Sequence, residues 1–153
     1  MTTASRLADA LIRTITGPMW HGPALAELVH DVSHEQAAAR PIPAGHTIWE
    51  LVLHIAVWAE IPRVRLAGEP RTDIRSEEDW PPPAAGSSEW KLAVARMDAA
   101  YRGLARDVAA LDDRALDSKV AGHEYSVRAM IYGVIEHGCY HGGQIALLKR
   151  AVR

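Results

Sequence analysis

Between Trp90 and Leu111, apolar residues recur at alternating steps of four and three: Trp90, Val94, Met97, Tyr101, Leu104, Val108 and Leu111. A mean period of about 3.5 residues is a heptad seam. It favours shallow, left-handed helix crossings over the steeper packing of globin-like chains. The expected architecture is therefore all-α, a four-helix bundle with Ser88 to Leu111 as its third helix.

The second helix is announced by Thr47-Ile48-Trp49-Glu50, where the threonine hydroxyl and the glutamate carboxylate satisfy free amides reciprocally. Its seam runs Leu51, His54, Trp58, Ile61. Pro62 removes the hydrogen bond to the Trp58 carbonyl and should kink the helix, which continues to about Leu66. Helix four opens near Ser126 and carries Val127, Ile131, Val134, Gly138, His141, Ile145, Leu148 and Val152 on one face, with Lys149, Arg150 and Arg153 suiting its C-terminal end. Helix one is expected in two pieces, because Gly17-Pro18 separates Leu7, Leu11 and Ile15 from Leu25, Leu28, Val29 and Val32. Ser33-His34-Glu35-Gln36 should start a further short helix ending before Pro41. Gly68 to Gly86 is a long connection between helices two and three, read as a crossover or a lid. The whole chain, 1–153, reads as a single domain.

Charge narrows the partners. With 17 Lys+Arg against 19 Asp+Glu and a net charge of −2, the signs are interspersed and no basic stripe is available for a nucleic acid. No run approaches the roughly 18 uncharged apolar residues of a membrane span, and Met1 to Asp9 lacks a basic segment followed by an apolar core. A soluble, cytoplasmic protein is expected. The single cysteine, Cys139, excludes an intramolecular disulfide and a thiolate-only metal site within one chain. Eight histidines are the compositional oddity.

An imidazole on a bundle seam must find partners for both ring nitrogens or destabilise the core. His137 and His141, four residues apart, are separated by about 40° around a helix and roughly 6 Å along it, so their rings converge. His54, on the seam of helix two, can face them. Three neutral nitrogens at about 2.0–2.1 Å would hold a metal and leave positions open for water or substrate. Spacing alone leaves the alternative open that these are separately bonded histidines.

Trp20-His21-Gly22-Pro23, His46-Thr47-Ile48-Trp49-Glu50-Leu51-Val52-Leu53-His54 and Glu136-His137-Gly138-Cys139-Tyr140-His141-Gly142-Gly143-Gln144-Ile145 resemble the DinB-like, YfiT-like superfamily of metal-dependent enzymes. The resemblance spans nearly the whole chain. It implies a four-helix bundle with a long connection between helices two and three, a homodimer, and a divalent metal (zinc, nickel or iron) held by His54, His137 and His141. Relatives include transferases that use mycothiol or bacillithiol, so the resemblance also implies a small-molecule substrate and a low-molecular-weight thiol cofactor.

Other residues are read against blander roles. Cys139 lies about 200° around the helix from His137 and is assigned to packing. Gln144, one turn after His141, either orients a metal-bound ligand or makes a capping or interhelical bond. Glu50 is assigned to the capping box, Tyr140 and Trp58 to bundle packing, and His30, His34, His46 and His123 to the surface. His21, in the Gly17 to Pro23 break, could reach the pocket mouth. Ile12 and Leu92, off the main seams, are the apolar surplus that accompanies the dimer expectation.

Three functions fit. The first is a metal-dependent thiol S-transferase in which the protein needs no cysteine of its own. The second is a metal-dependent hydrolase, which wants a general base that no helix clearly presents beside the metal. The third is a non-catalytic metal-bound binding or stress-response module.

Overall fold

A computed structural model describes all residues, 1–153. Its helices are α1 (Thr3–Thr16), α2 (Leu25–Val29), α3 (His34–Ala38), α4 (Ile48–Leu66), α5 (Ser76–Asp79), α6 (Ser87–Ala109) and α7 (Val127–Ala151), with a 3-10 turn at Asp113–Asp117 after α6. There is no strand; β pairing is limited to two isolated bridges, Met19 with Gly22 and Lys119 with Ser126. Helix one of the sequence reading corresponds to two pieces, α1 and α2, and helices two to four correspond to α4, α6 and α7.

The helix starts follow their capping residues. Thr47 Oγ1 accepts from Glu50 N at 3.1 Å while Glu50 Oε2 accepts from Thr47 N at 2.8 Å. Ser33 and Gln36 repeat the exchange at α3. Ser126 Oγ accepts from Ala129 N to open α7. The start of α1 is held by its own Thr2 and by a carboxylate distant in sequence. Asp113 accepts from Thr3 N at 2.9 Å and from Ala4 N at 2.8 Å, which draws its pKa below the usual range.

All four long helices contribute to one core of 34 buried residues. α6 packs against both α4 and α1, and α7 closes on the same two helices. On α6, Trp90, Met97, Tyr101, Leu104 and Val108 are buried, while Val94 is half-buried at the edge of the seam. Of the 19 residues of α4, 13 are buried, so this helix is enclosed on nearly every side and draws even its polar residues inward. It runs through Pro62 to Leu66. Ile12 packs partly against the core, so it is not the free apolar surface expected of it, whereas Leu92 is 61% exposed. No helix is long and apolar enough to cross a membrane.

The connection from Gly68 to Gly86 is not featureless. It contains α5, which packs on α4 and delivers Asp79 and Trp80 to the level of His54 before Pro81, Pro82 and Pro83 prevent further helix.

Candidate metal centre

α4 supplies His54, and α7 supplies His137 and His141. The ring centroids form a nearly regular triangle: 4.8 Å from His54 to His137, 4.9 Å from His54 to His141 and 4.4 Å from His137 to His141. One ring nitrogen from each lies within 4.8 Å of the others. His54 and His141 are buried and His137 is half-buried.

Hydrogen bonds set the ring tautomers. His54 Nδ1 lies 2.7 Å from the Asp79 carbonyl and 3.1 Å from Asp79 Oδ1, both acceptors, so Nδ1 carries the proton and Nε2 keeps its lone pair. His141 Nδ1 donates to Gln144 Oε1 at 2.5 Å, with the same consequence. His137 Nε2 is 3.0 Å from His54 Nε2, and His137 Nδ1 is buried without a partner. Ligand nitrogens on a tetrahedral ion at about 2.0–2.1 Å would sit roughly 3.4 Å apart. The separations found here bracket that value, and neutral imidazoles suit zinc, nickel or iron(II). The donor set fits a divalent metal ion.

Burial holds all three imidazoles neutral. It is the largest influence on each and lowers each pKa, and for His137, where the neighbouring His141 and His54 add to it, the value falls to about 3. The Asp79 carboxylate opposes the shift at His54 without reversing it, so that contact is a hydrogen bond to a neutral ring rather than an ion pair. Metal ligation at pH 7 would displace no protons from these rings.

A stability consequence follows for the metal-free protein. The unfolded histidines take up protons at about pH 6.5, before the folded ones do, so the stabilisation present above that pH is lost as the pH falls. We expect the melting temperature without metal to drop between about pH 6.5 and 5, above the range where carboxylates titrate, and to drop less steeply in His137→Leu. A melting temperature by circular dichroism that rose on acidification across that window would contradict the neutral triad.

The histidines stand at one end of a cavity of about 630 Å3, walled by Trp58, Trp80, Met130, Val134 and Tyr140. Trp58 Nε1 donates to Asp79 Oδ1 at 2.6 Å. Trp80 is stacked parallel on His54, with centroids 3.8 Å apart, and its other neighbour is His46 at 3.5 Å, also parallel. The sequence reading did not single out Asp79 or Trp80. Their only local signal is an indole beside an acidic turn, immediately before a proline run.

Several expectations change with the structure. Tyr140 is not bundle packing: it is 66% exposed, edge-on to His141 at the cavity rim, because it sits about 100° around α7 from that buried residue. Trp58 is half-buried in the cavity wall. His21 does not reach this mouth; with Cys139 and Gly138 it borders a separate small crevice. Cys139 is absent from the lining of the histidine cavity, as the helix angle requires. His46 is exposed as expected, yet it stacks on the wall of the site through Trp80. Gln144 Oε1 accepts from the outer nitrogen of His141.

The family model of the DinB superfamily matches residues 19–145. The chain belongs to the DinB superfamily. The matched segment includes all three histidines, and both the superfamily and the clustered rings are compatible with metal binding. No curated protein and no solved structure matches this DinB-superfamily chain.

Proposed function

We propose that this protein binds one divalent metal through His54, His137 and His141 and is a thiol S-transferase that uses a low-molecular-weight thiol such as mycothiol or bacillithiol. The observation that carries the reading is a largely apolar cavity opening directly onto three neutral imidazoles, two of them with their tautomers set by outer hydrogen bonds, with the protein's only thiol turned away from it. A bound zinc, nickel or iron(II) ion would supply Lewis acidity that lowers the pKa of a thiol placed against it.

The chain's own residues supply the rest. Asp79 and Gln144 hold the outer nitrogens of two rings and keep their lone pairs turned inward. Trp58, Met130 and Val134 exclude bulk water and give an electrophile an apolar seat. The thiol gives its proton to solvent water, sulfur forms the new bond to carbon, and the carbon–halogen bond of a haloarene breaks to release halide. With an epoxide, the ring C–O bond breaks and the alkoxide oxygen takes a proton from water, so the product is the neutral hydroxy thioether.

Metal-loaded protein is expected to consume thiol in the presence of an epoxide or haloarene, faster as the thiol ionises, and its cobalt-substituted form should gain a sulfur-to-metal charge-transfer band on thiol addition. Gln144→Ala should slow turnover while retaining metal, weakened by roughly 10–100-fold. Absence of thiol binding at millimolar concentration would end the transferase reading.

One observation favours hydrolysis as the second reading: the short helix α5 in the connection delivers the Asp79 carboxylate to the cavity, where none of the four long helices presents one. Ester cleavage without added thiol, abolished in Asp79→Asn, would decide for it. We also read the protein as a cytoplasmic homodimer. Tyr140 and Leu147, seven residues apart on one stripe of α7, are 66% and 63% exposed and would be covered. A dimer mass is expected in light scattering at micromolar concentration, and a monomer mass would refute it.

A further inference from the structure

Arg65 is the only arginine among the buried residues, at 8% exposure, and it lines the same cavity as the histidines. Its Nη1 donates to the Tyr125 hydroxyl at 2.8 Å and its Nη2 to the Arg71 carbonyl at 2.9 Å; both acceptors are neutral. Its Nε is buried and has no partner. Arg63, Arg96, Arg102 and Arg128, all nearer to solvent, each hold a carboxylate. The arginine that most needs a counterion has none, although a guanidinium keeps its charge at any ordinary pH and a buried, unpaired charge is strongly unfavourable.

Helix geometry places this charge relative to the triad. Eleven residues separate His54 from Arg65, about three turns, so the two share a stripe of α4 roughly 16 Å apart along its axis. Trp58 lies between them, its ring centroid 5.9 Å from Arg65 Cζ. Asp79 is the only carboxylate among the lining residues. It stands at the histidine end, its Oδ1 already engaged by Trp58 and His54, and is not a counterion to Arg65.

We infer that Arg65 is an anion subsite at the end of the cavity remote from the histidines, and that the cavity takes a ligand with an apolar body ending in a carboxylate. Of five guanidinium donors, two are committed to protein acceptors and the Nε–H is buried, which leaves one N–H on each terminal nitrogen, and a planar guanidinium edge matches a carboxylate geometrically. The apolar body lies along Trp58, Met130 and Val134. This inference goes beyond the metal site and does not require the metal.

Octanoate and octanamide share an apolar chain and differ in the charge of the terminal group. Isothermal titration of the purified full chain is expected to show octanoate binding about tenfold more tightly than octanamide, with octylamine weakest. In Arg65→Met the octanoate preference should shrink to within about twofold, whereas His137→Ala should keep it. That arm separates this subsite from the metal site: an anion held at the histidines would lose binding in His137→Ala and keep it in Arg65→Met, which would overturn the inference. Equal affinity for octanoate and octanamide, or no binding of either at millimolar concentration, would overturn it as well. If Arg65→Met does not fold, Arg65→Lys takes its place, with the fork lost, the charge kept and a reduced carboxylate preference expected; an undiminished preference there overturns the inference.

Discussion

His137→Ala is expected to abolish zinc binding at micromolar protein and metal, lowering affinity by more than the roughly 10–100-fold that loss of an outer hydrogen-bond partner alone produces. The ring contributes one of only three clustered nitrogens, and its Nε2 is 3.0 Å from that of His54, so no neighbouring side chain takes over its position. In the wild type, zinc at 100 times its dissociation constant should add about 2.7 kcal/mol, or roughly 5–10 °C in melting temperature for a chain of this size. The variant should show no zinc-dependent shift. Its metal-free stability should change by less than about 1 kcal/mol, because the substitution also removes a buried Nδ1 that bonds to nothing. His54→Ala and His141→Ala should lose metal likewise. Cys139→Ser should retain it, since its sulfur lies outside the cavity. Elemental analysis showing full zinc retention in His137→Ala would overturn the ligand assignment.

The parts of this site that could be read from sequence are those that a helix converts directly into geometry. A four-residue spacing fixes how His137 and His141 lie relative to each other whatever surrounds them, and the seam of α6 fixes which of its residues turn inward. Thr47, Ser33 and Ser126 were legible for a similar reason, because capping involves only the next turn of chain. Asp79 and Trp80 were not legible. Their partners, His54, Trp58 and His46, are remote in sequence, and the contacts exist only because the connection lies across α4. Arg65 was hidden differently. Near the end of α4 it resembles a cation placed for the helix dipole, and its burial depends on Tyr125 and Arg71 arriving from other segments. The exposure of Tyr140 shows the limit of a seam argument: it sorts residues on the stripe, while those beside it become core or rim according to which neighbour covers them.

Gly138→Ala should destabilise the fold by about 2 kcal/mol, the balance of an overpacking cost of up to roughly 3 kcal/mol and a helix-propensity gain of about 1 kcal/mol. Gly138 sits between His137 and Cys139 on the side of α7 that faces α1 and α6. A methyl group there would lie 2.8 Å from Thr14 Cγ2 and closer still to Tyr101 Oη. Neither neighbour yields easily. Thr14 is buried, and the fully buried Tyr101 ring directs its hydroxyl to the Val134 carbonyl at 3.2 Å, inside a core without room for a new rotamer. The melting temperature should fall by roughly 4–8 °C. Displacing α7 would also move His137 and His141 relative to His54, so zinc affinity should fall although no ligand has changed. Gly143→Ala is the control on the same helix. A methyl group there meets nothing within 4 Å, and the gain in helix propensity should stabilise the protein by about 0.5–1 kcal/mol. Adding Tyr101→Phe to Gly138→Ala should restore part of the loss, because it removes the atom nearest the new methyl, and the two changes should be non-additive in a double-mutant cycle. Equal shifts for Gly138→Ala and Gly143→Ala in thermal melts would show that α7 does not approach α6 as closely as this packing requires.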